Sequence, residues 1–343
     1  MDLIRTFAIV LVILLHASIE PVPAIVTGYD SNVVVQWWSV NIYDSLARPC
    51  VPLFVMLSGA LLLQPSKVDE PLKVFFKKRV SRIVPPLIFW MAAYFVWRVF
   101  VNGETLSLYS IGEGIIWGPY IHFWFIYMLI GLYLITPFLR VLVAHASRRL
   151  IRYFLVLWLV GTAVVPLLGL FVDYSLNNSV FLLTGYVGYY VLGLYLLQVQ
   201  LKKTVLLAGY IAGFVWTAVG TYIVTATVGG SQQFFFYDNL NLSVILTSAT
   251  LFLLLSTVQS EKLNRFPRLN RLLHFISQNS LGIYLFHFMV IETLQNGYLG
   301  LRISVTTLNP ILGIPLLTGI TLLICLLVIY PLRKIPLINK IIG

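Results

Sequence analysis

Charge is what this sequence has least of. Only 10% of its 343 residues are Asp, Glu, Lys or Arg, against about a quarter in soluble domains. The mean hydropathy is +0.91 and 59% of the residues are hydrophobic. That balance excludes a soluble globular domain and leaves a polytopic membrane protein. Cysteine is nearly absent. Cys50 and Cys325 both fall in apolar stretches, so neither a disulfide framework nor a cysteine zinc site is expected. There is no Gly-rich phosphate loop, which leaves an ATP-driven pump without support. No His/Cys/Asp grouping has metal-ligand spacing, so no metal is expected. The first apolar stretch, from Leu3 to Ile19, lacks a basic leading region and a small-residue cleavage site before Pro21. It reads as a retained helix and not as a signal peptide.

What is abundant is apolar runs long enough to span a bilayer, separated by polar or Gly/Pro-rich breaks. Their expected positions are 3–19, 39–63, 83–101, 120–143, 153–172, 180–199, 204–226, 240–258, 278–299 and 311–331. The fold class is therefore all-α, a polytopic membrane helix bundle of about ten transmembrane helices. Basic residues alternate sharply between the connecting segments. Twenty of the 23 lie on one side: Arg5, the Lys67–Arg82 cluster, Arg140 to Arg152, Lys202–Lys203, Lys262 to Arg271 and Arg333 to Lys340. Arg48, Arg98 and Arg302 are on the other. The positive-inside rule then places both termini in the cytoplasm, as an even number of spans requires. Most acids fall on the opposite side: Glu20, Asp30, Asp44, Glu104, Glu113, Asp173, Asp238 and Glu292. The formal charge of +11 is thus mostly topology and attraction to anionic membrane lipid, and no nucleic-acid surface is expected.

Polar residues inside the spans make a short list. Arg5 and His16 are eleven positions apart in the first helix, which is about three turns and about 16 Å along one face. An ionisable group in that setting is costly and reads as functional by default. The imidazole of His16 suits a general base acting on a hydroxyl. Arg5 meets the headgroups, where it also serves as a topology signal or a snorkelling anchor. Asp44, Arg48, Pro49 and Pro52 interrupt the second span, as expected of a cavity-lining break. Arg79 and Arg82, three apart at a helix start before Pro85-Pro86, project together. The double proline is expected to bend the chain into the bilayer, and paired guanidinium groups fit phosphates. His122 and Trp124 open the fourth span within an aromatic run. Tyr284 and His287, three apart, share a face in the ninth, below Glu292. For both clusters a structural polar network between helices is an equal reading.

These clusters, in this order, resemble acyltransferase family 3, the integral membrane O-acyltransferases. An arginine, ten residues and a histidine in the first helix are matched by Arg5 and His16. The family's basic segment is matched by Lys78-Arg79-Val80-Ser81-Arg82-Ile83-Val84-Pro85-Pro86, and its Pro-rich region by Arg48-Pro49-Cys50-Val51-Pro52-Leu53-Phe54-Val55-Met56-Leu57-Ser58-Gly59. His122-Phe123-Trp124-Phe125 and Ser280-Leu281-Gly282-Ile283-Tyr284-Leu285-Phe286-His287 resemble the branch containing the enterobacterial common antigen O-acetyltransferase. The resemblance implies a single integral membrane acyltransferase domain over residues 1–343, without an appended soluble domain, in the bacterial cytoplasmic membrane. It implies acetyl-CoA as co-substrate, no permanently bound cofactor, and a carbohydrate or glycolipid acceptor. Arg5, Arg79 and Arg82 would bind the donor. His16 would act as base or carry the acetyl group itself. Arg48, ranked before His122, would stabilise the oxyanion. Trp124, Tyr284 and His287 would form the acceptor side or a supporting network. A polysaccharide or small-molecule transporter without acyl transfer is the alternative, and the absence of a visible internal repeat counts slightly against it.

Overall fold

The computed structural model describes residues 1–19, 31–169, 185–228, 230–258, 265–336 and 338–343. Glu20, Asp30, Asp173 and Lys262, assigned to sides above, lie outside the described residues, as do the facing ends of the expected spans at 153–172 and 180–199. The described residues are all-helical, with no strand among them.

In chain order the helices are α1 (Asp2–Ser18), α2 (Ser31–Ala47), α3 (Cys50–Leu62), α4 (Leu72–Phe100), α5 (Leu108–Trp117), α6 (Trp124–His145) and α7 (Arg148–Leu159). The last runs through a π-helical turn (Val160–Val164) into α8 (Val165–Leu168). There follow α9 (Gly185–Leu196), α10 (Lys203–Thr227), α11 (Leu242–Ser256), α12 (Pro267–Gln278), α13 (Ser280–Asn296), α14 (Pro310–Arg333) and α15 (Asn339–Ile342). Their ends follow from the sequence. The Ser147 hydroxyl accepts from the Leu150 amide at 3.2 Å and the Asn241 side chain from the Ser243 amide at 3.1 Å. These satisfy helix-start donors that would otherwise be orphaned. Gly297 ends α13 in the left-handed region at φ 72°, which costs glycine nothing.

Among the described residues, 7 helical segments are long and apolar enough to cross a membrane. One of them, Ser31–Leu62, joins α2 and α3 across the expected break, which falls at Arg48 and Pro49. Helices α1 and α13 are apolar but stop at 17 residues each. The double proline does not interrupt its helix. Helix α4 continues through Pro85 and Pro86 as one 29-residue element. By the i to i−4 rule those prolines leave the carbonyls of Ser81 and Arg82 without donors. Both are exposed residues, so water or headgroups can take the freed carbonyls and the helix need not stop.

Helix α1 packs against α2, α3, α12, α13 and α14, so Arg5 and His16 stand on the central strut of the bundle. Helices α3 and α9 meet backbone to backbone. A Cβ on Gly59 would lie 1.8 Å from the Tyr190 carbonyl oxygen, and one on Gly193 would lie 2.0 Å from that of Met56. The two glycines are required by this approach. The exposed faces of the long helices carry large apolar side chains such as Ile88, Phe138 and Leu327, as a lipid solvent demands.

Candidate active site

The site is built along five helices that run past one another. At one end, Arg5 of α1, Arg79 and Arg82 of α4, and Lys67 surround a cavity of about 290 Å³. Among the described residues no carboxylate lines it. Phe54 and Ser58 of α3, Phe125, Leu129 and Tyr133 of α6, and Ser280 and Tyr284 of α13 complete its walls. Four cations around one enclosure repel one another, so the space favours an anion carrying several charges.

These cations are held in place by neighbours. Arg5 donates to the Ser277 hydroxyl at 3.1 Å, and Ser277 in turn donates to Asp2 at 2.7 Å. Asp2 also meets His274 at 2.8 Å. The amphipathic helix α12 thereby orients the arginine of α1. Thr6 adds a second tie, to the Leu273 carbonyl at 2.9 Å. Arg79 lies over the rings of Phe75 and Tyr133, at 5.5 and 5.8 Å. Arg140, only 2% exposed, lies over the same Phe75 ring at 4.6 Å. Its guanidinium donates to the Leu62 carbonyl at 2.7 Å and to Glu70 at 3.0 Å. Lys78 holds the other Glu70 oxygen at 2.7 Å. Lys78 and Arg140 together keep the Glu70 carboxyl below its ordinary pKa.

Deeper in the bundle three imidazoles converge. The ring centroids of His16 and His287 are 5.1 Å apart, those of His122 and His287 are 5.3 Å apart, and those of His16 and His122 are 6.5 Å apart. Phe288 stacks on His122 at 5.5 Å and meets His16 edge-on at 5.3 Å. His287 Nδ1 donates to the Tyr284 carbonyl at 2.5 Å, so its Nε2 is a bare acceptor. That Nε2, His16 Nδ1 and both nitrogens of His122 are buried without a hydrogen-bond partner. Each unmade bond costs about 1–3 kcal/mol. Four at one point mark where substrate or water would complete the network. Among the described residues no group of three His, Cys, Asp or Glu side chains has metal-binding geometry.

Tyr284 links the two regions. Its ring lines the cation cavity, lies 5.8 Å from His122 and 5.7 Å from His287, and its hydroxyl donates to the His122 carbonyl. Beyond the histidines, Glu292 accepts from Trp97 at 2.9 Å, from Tyr120 at 2.9 Å and from Asn102 at 3.1 Å. The order along the axis is cations, Tyr284, imidazoles, carboxylate.

The structure thus brings Arg5, Arg79 and Arg82 to one cavity, and His16, His122 and His287 to one cluster, with Tyr284 between. Two other candidates make their contacts with other groups. Trp124 packs on Tyr186 at 5.6 Å. Arg48 is paired with Asp44, donates to the Tyr237 carbonyl at 2.7 Å and covers the Tyr237 ring at 4.3 Å. Its two terminal nitrogens are committed there. Sequence reasoning missed Lys67, the buried Arg140–Glu70 pair and the Phe54–Phe125 wall. The first two look like ordinary loop charges, and apolar residues in a membrane helix carry no signal of their own. Cys50 and Cys325 are free and buried.

Long apolar helices around a buried polar site define an integral membrane protein whose chemistry lies between its helices. The chain belongs to acyltransferase family 3: the family's profile, described as an acyltransferase domain, matches residues 1–330. It is a membrane acyltransferase. No curated protein and no solved structure matches the chain.

Proposed function

We propose that this acyltransferase moves an acetyl group from cytoplasmic acetyl-CoA to a hydroxyl of a surface-glycan or lipid-linked sugar. The observation that carries the reading is Tyr284, which borders the cation-lined cavity on one side and the imidazole cluster on the other. In this reading ten helices cross the bacterial inner membrane, α1, α9 and α13 included, and the cation end faces the cytoplasm. The charge alternation between loops supports that orientation. The His122-Phe123-Trp124-Phe125 and Ser280–His287 stretches support kinship with the enterobacterial common antigen branch.

Arg5, Arg79 and Arg82 hold the phosphates of CoA by charge-assisted hydrogen bonds, for which the planar guanidinium fork is suited. The pantetheine arm reaches past Tyr284 toward the histidines. The acceptor approaches from the Glu292 side. Its hydroxyl oxygen attacks the thioester carbonyl carbon while His16 takes the hydroxyl proton. The carbonyl electron pair moves onto oxygen, where an N–H of His122 stabilises it. His122 suits this task better than Arg48, because both of its nitrogens lack partners, whereas the two terminal nitrogens of Arg48 are taken by Tyr237 and Asp44. When the oxyanion collapses, the C–S bond breaks, and the CoA sulfur leaves with the proton held by His16. An ester and free CoA thiol result. In the covalent variant His16 carries the acetyl group between donor and acceptor, and acetylated protein accumulates when acceptor is withheld.

The test is direct. Purified protein in detergent is incubated with acetyl-labelled acetyl-CoA, with and without glycan acceptor. Label leaving CoA is the expected result. A transporter consumes no thioester, and that outcome ends the proposal.

A further inference from the structure

Three aromatic rings from three helices line the cation cavity and touch in series, and the last of them, Tyr284, also meets the histidines. Phe54 of α3 and Phe125 of α6 have centroids 5.8 Å apart, and Phe125 and Tyr284 of α13 are 5.2 Å apart. All three line the cavity that also holds the arginines. The rings of His16, His122 and His287 do not line it. A donor anchored at the arginines must therefore thread its acyl end past these rings to reach an imidazole.

The rings are not free to move aside. Tyr284 is tied through its hydroxyl to the His122 backbone. Phe125 is 6% exposed, wedged between Phe54 and Tyr284. The helix bearing Phe54 cannot retreat, because Gly59 and Gly193 already bring α3 and α9 into backbone contact. A rigid wall discriminates by size, since close-packed interiors repack at a cost that rises with each added methylene. The wall is also apolar apart from one committed hydroxyl.

We infer that Phe54, Phe125 and Tyr284 form a fixed aromatic collar that limits the transferred group to a short acyl chain and so sets donor specificity. The inference rests on the proposed acyl transfer and adds a selectivity that acyl transfer by itself does not require. A hydrophobic site commonly separates substrates differing by one methylene by about 10- to 200-fold. Butyryl exceeds acetyl by two.

The experiment compares thioester consumption from acetyl-CoA and butyryl-CoA by wild type, Phe54→Ala and Phe54→Leu, with melting curves for each. Wild type is expected to favour acetyl-CoA by about 10-fold or more in kcat/KM. Phe54→Ala should raise the butyryl-to-acetyl ratio by about 10-fold, and Phe54→Leu should move it the same way by less. The ratio is read within each protein, so a loss of total activity does not affect it. Equal use of both donors by wild type overturns the collar while leaving acyl transfer in place. An unchanged ratio in the Phe54→Leu protein, or in Phe54→Ala where it folds, does the same. Consumption of neither donor by wild type overturns acyl transfer and the collar with it.

Discussion

At the scale of single residues, the unusual expense is imidazole nitrogen buried without a partner. A fold that only needed polar cement between helices would pair these groups, because an unmade bond costs more than a made one gains. His287 shows the contrast. One nitrogen is satisfied by the Tyr284 carbonyl, which fixes its ring, and the other is left open. His16→Ala is expected to lower acetyl transfer by about 10²–10⁴-fold, the usual range for a general base. It should leave a folded, membrane-inserted protein, with a melting temperature in detergent lowered only by the loss of ring packing against His287 and Phe288. Transfer assays beside melting curves check both halves. Arg82→Ala and Arg79→Ala should weaken acetyl-CoA binding by about 10-fold each, with little effect on acceptor binding. Isothermal calorimetry on the purified protein reads this, since a charge-assisted contact contributes about 1.5–3 kcal/mol at most.

At the scale of elements, the site depends on helices that hold their positions. The closest approach is α3 against α9, where a methyl group at residue 59 would overlap the Tyr190 carbonyl. Gly59→Ala should destabilise the protein by about 1–3 kcal/mol or prevent its accumulation. Gly131→Ala, with nothing within 4 Å of the added carbon, is the control. Thermal melts in detergent and yields from membranes distinguish the two. Much of this level could be read in the sequence. Three turns of helix put Arg5 and His16 on one face, and the Arg48-Pro49 interruption appears where the prolines and charges announced it. The passage of α4 through Pro85 and Pro86 was not legible. Whether a proline pair stops a helix depends on whether the freed carbonyls meet solvent, and that is a property of surroundings.

At the scale of the whole molecule, charge is segregated. The cation end gathers arginines and a lysine around a cavity that no carboxylate of the described residues lines, and Glu70 joins Arg140 and Lys78. Because those partners hold the Glu70 carboxyl below its ordinary value of 4.5, folding is favoured by its ionised form. That contribution is fully present above pH 4.5 and is lost as pH falls toward the lowered folded-state value. Acid melts from pH 6 to about 3.5 should therefore fall more steeply for wild type than for Glu70→Gln. Arg140→Ala should cost about 1–3 kcal/mol at neutral pH, because the Leu62 carbonyl and Glu70 lose a buried donor. It should also flatten the acid dependence.

The sequence by itself determined that this chain belongs in a membrane, which loops carry its positive charge, and which side chains share a helix face. Those properties come from composition and from the helical period, and both are local. Only the tertiary structure decided that His16, His122 and His287 would meet. It also decided that Tyr284 would stand between them and the arginines, and that Arg48 would donate to the Tyr237 carbonyl. These contacts join residues from distant parts of the chain, such as Tyr284 and His122, 162 positions apart, and no periodicity specifies such lateral packing. Helices in a lipid solvent choose neighbours by close fit and by pairing of polar groups, and that choice exists only once all of them are in place.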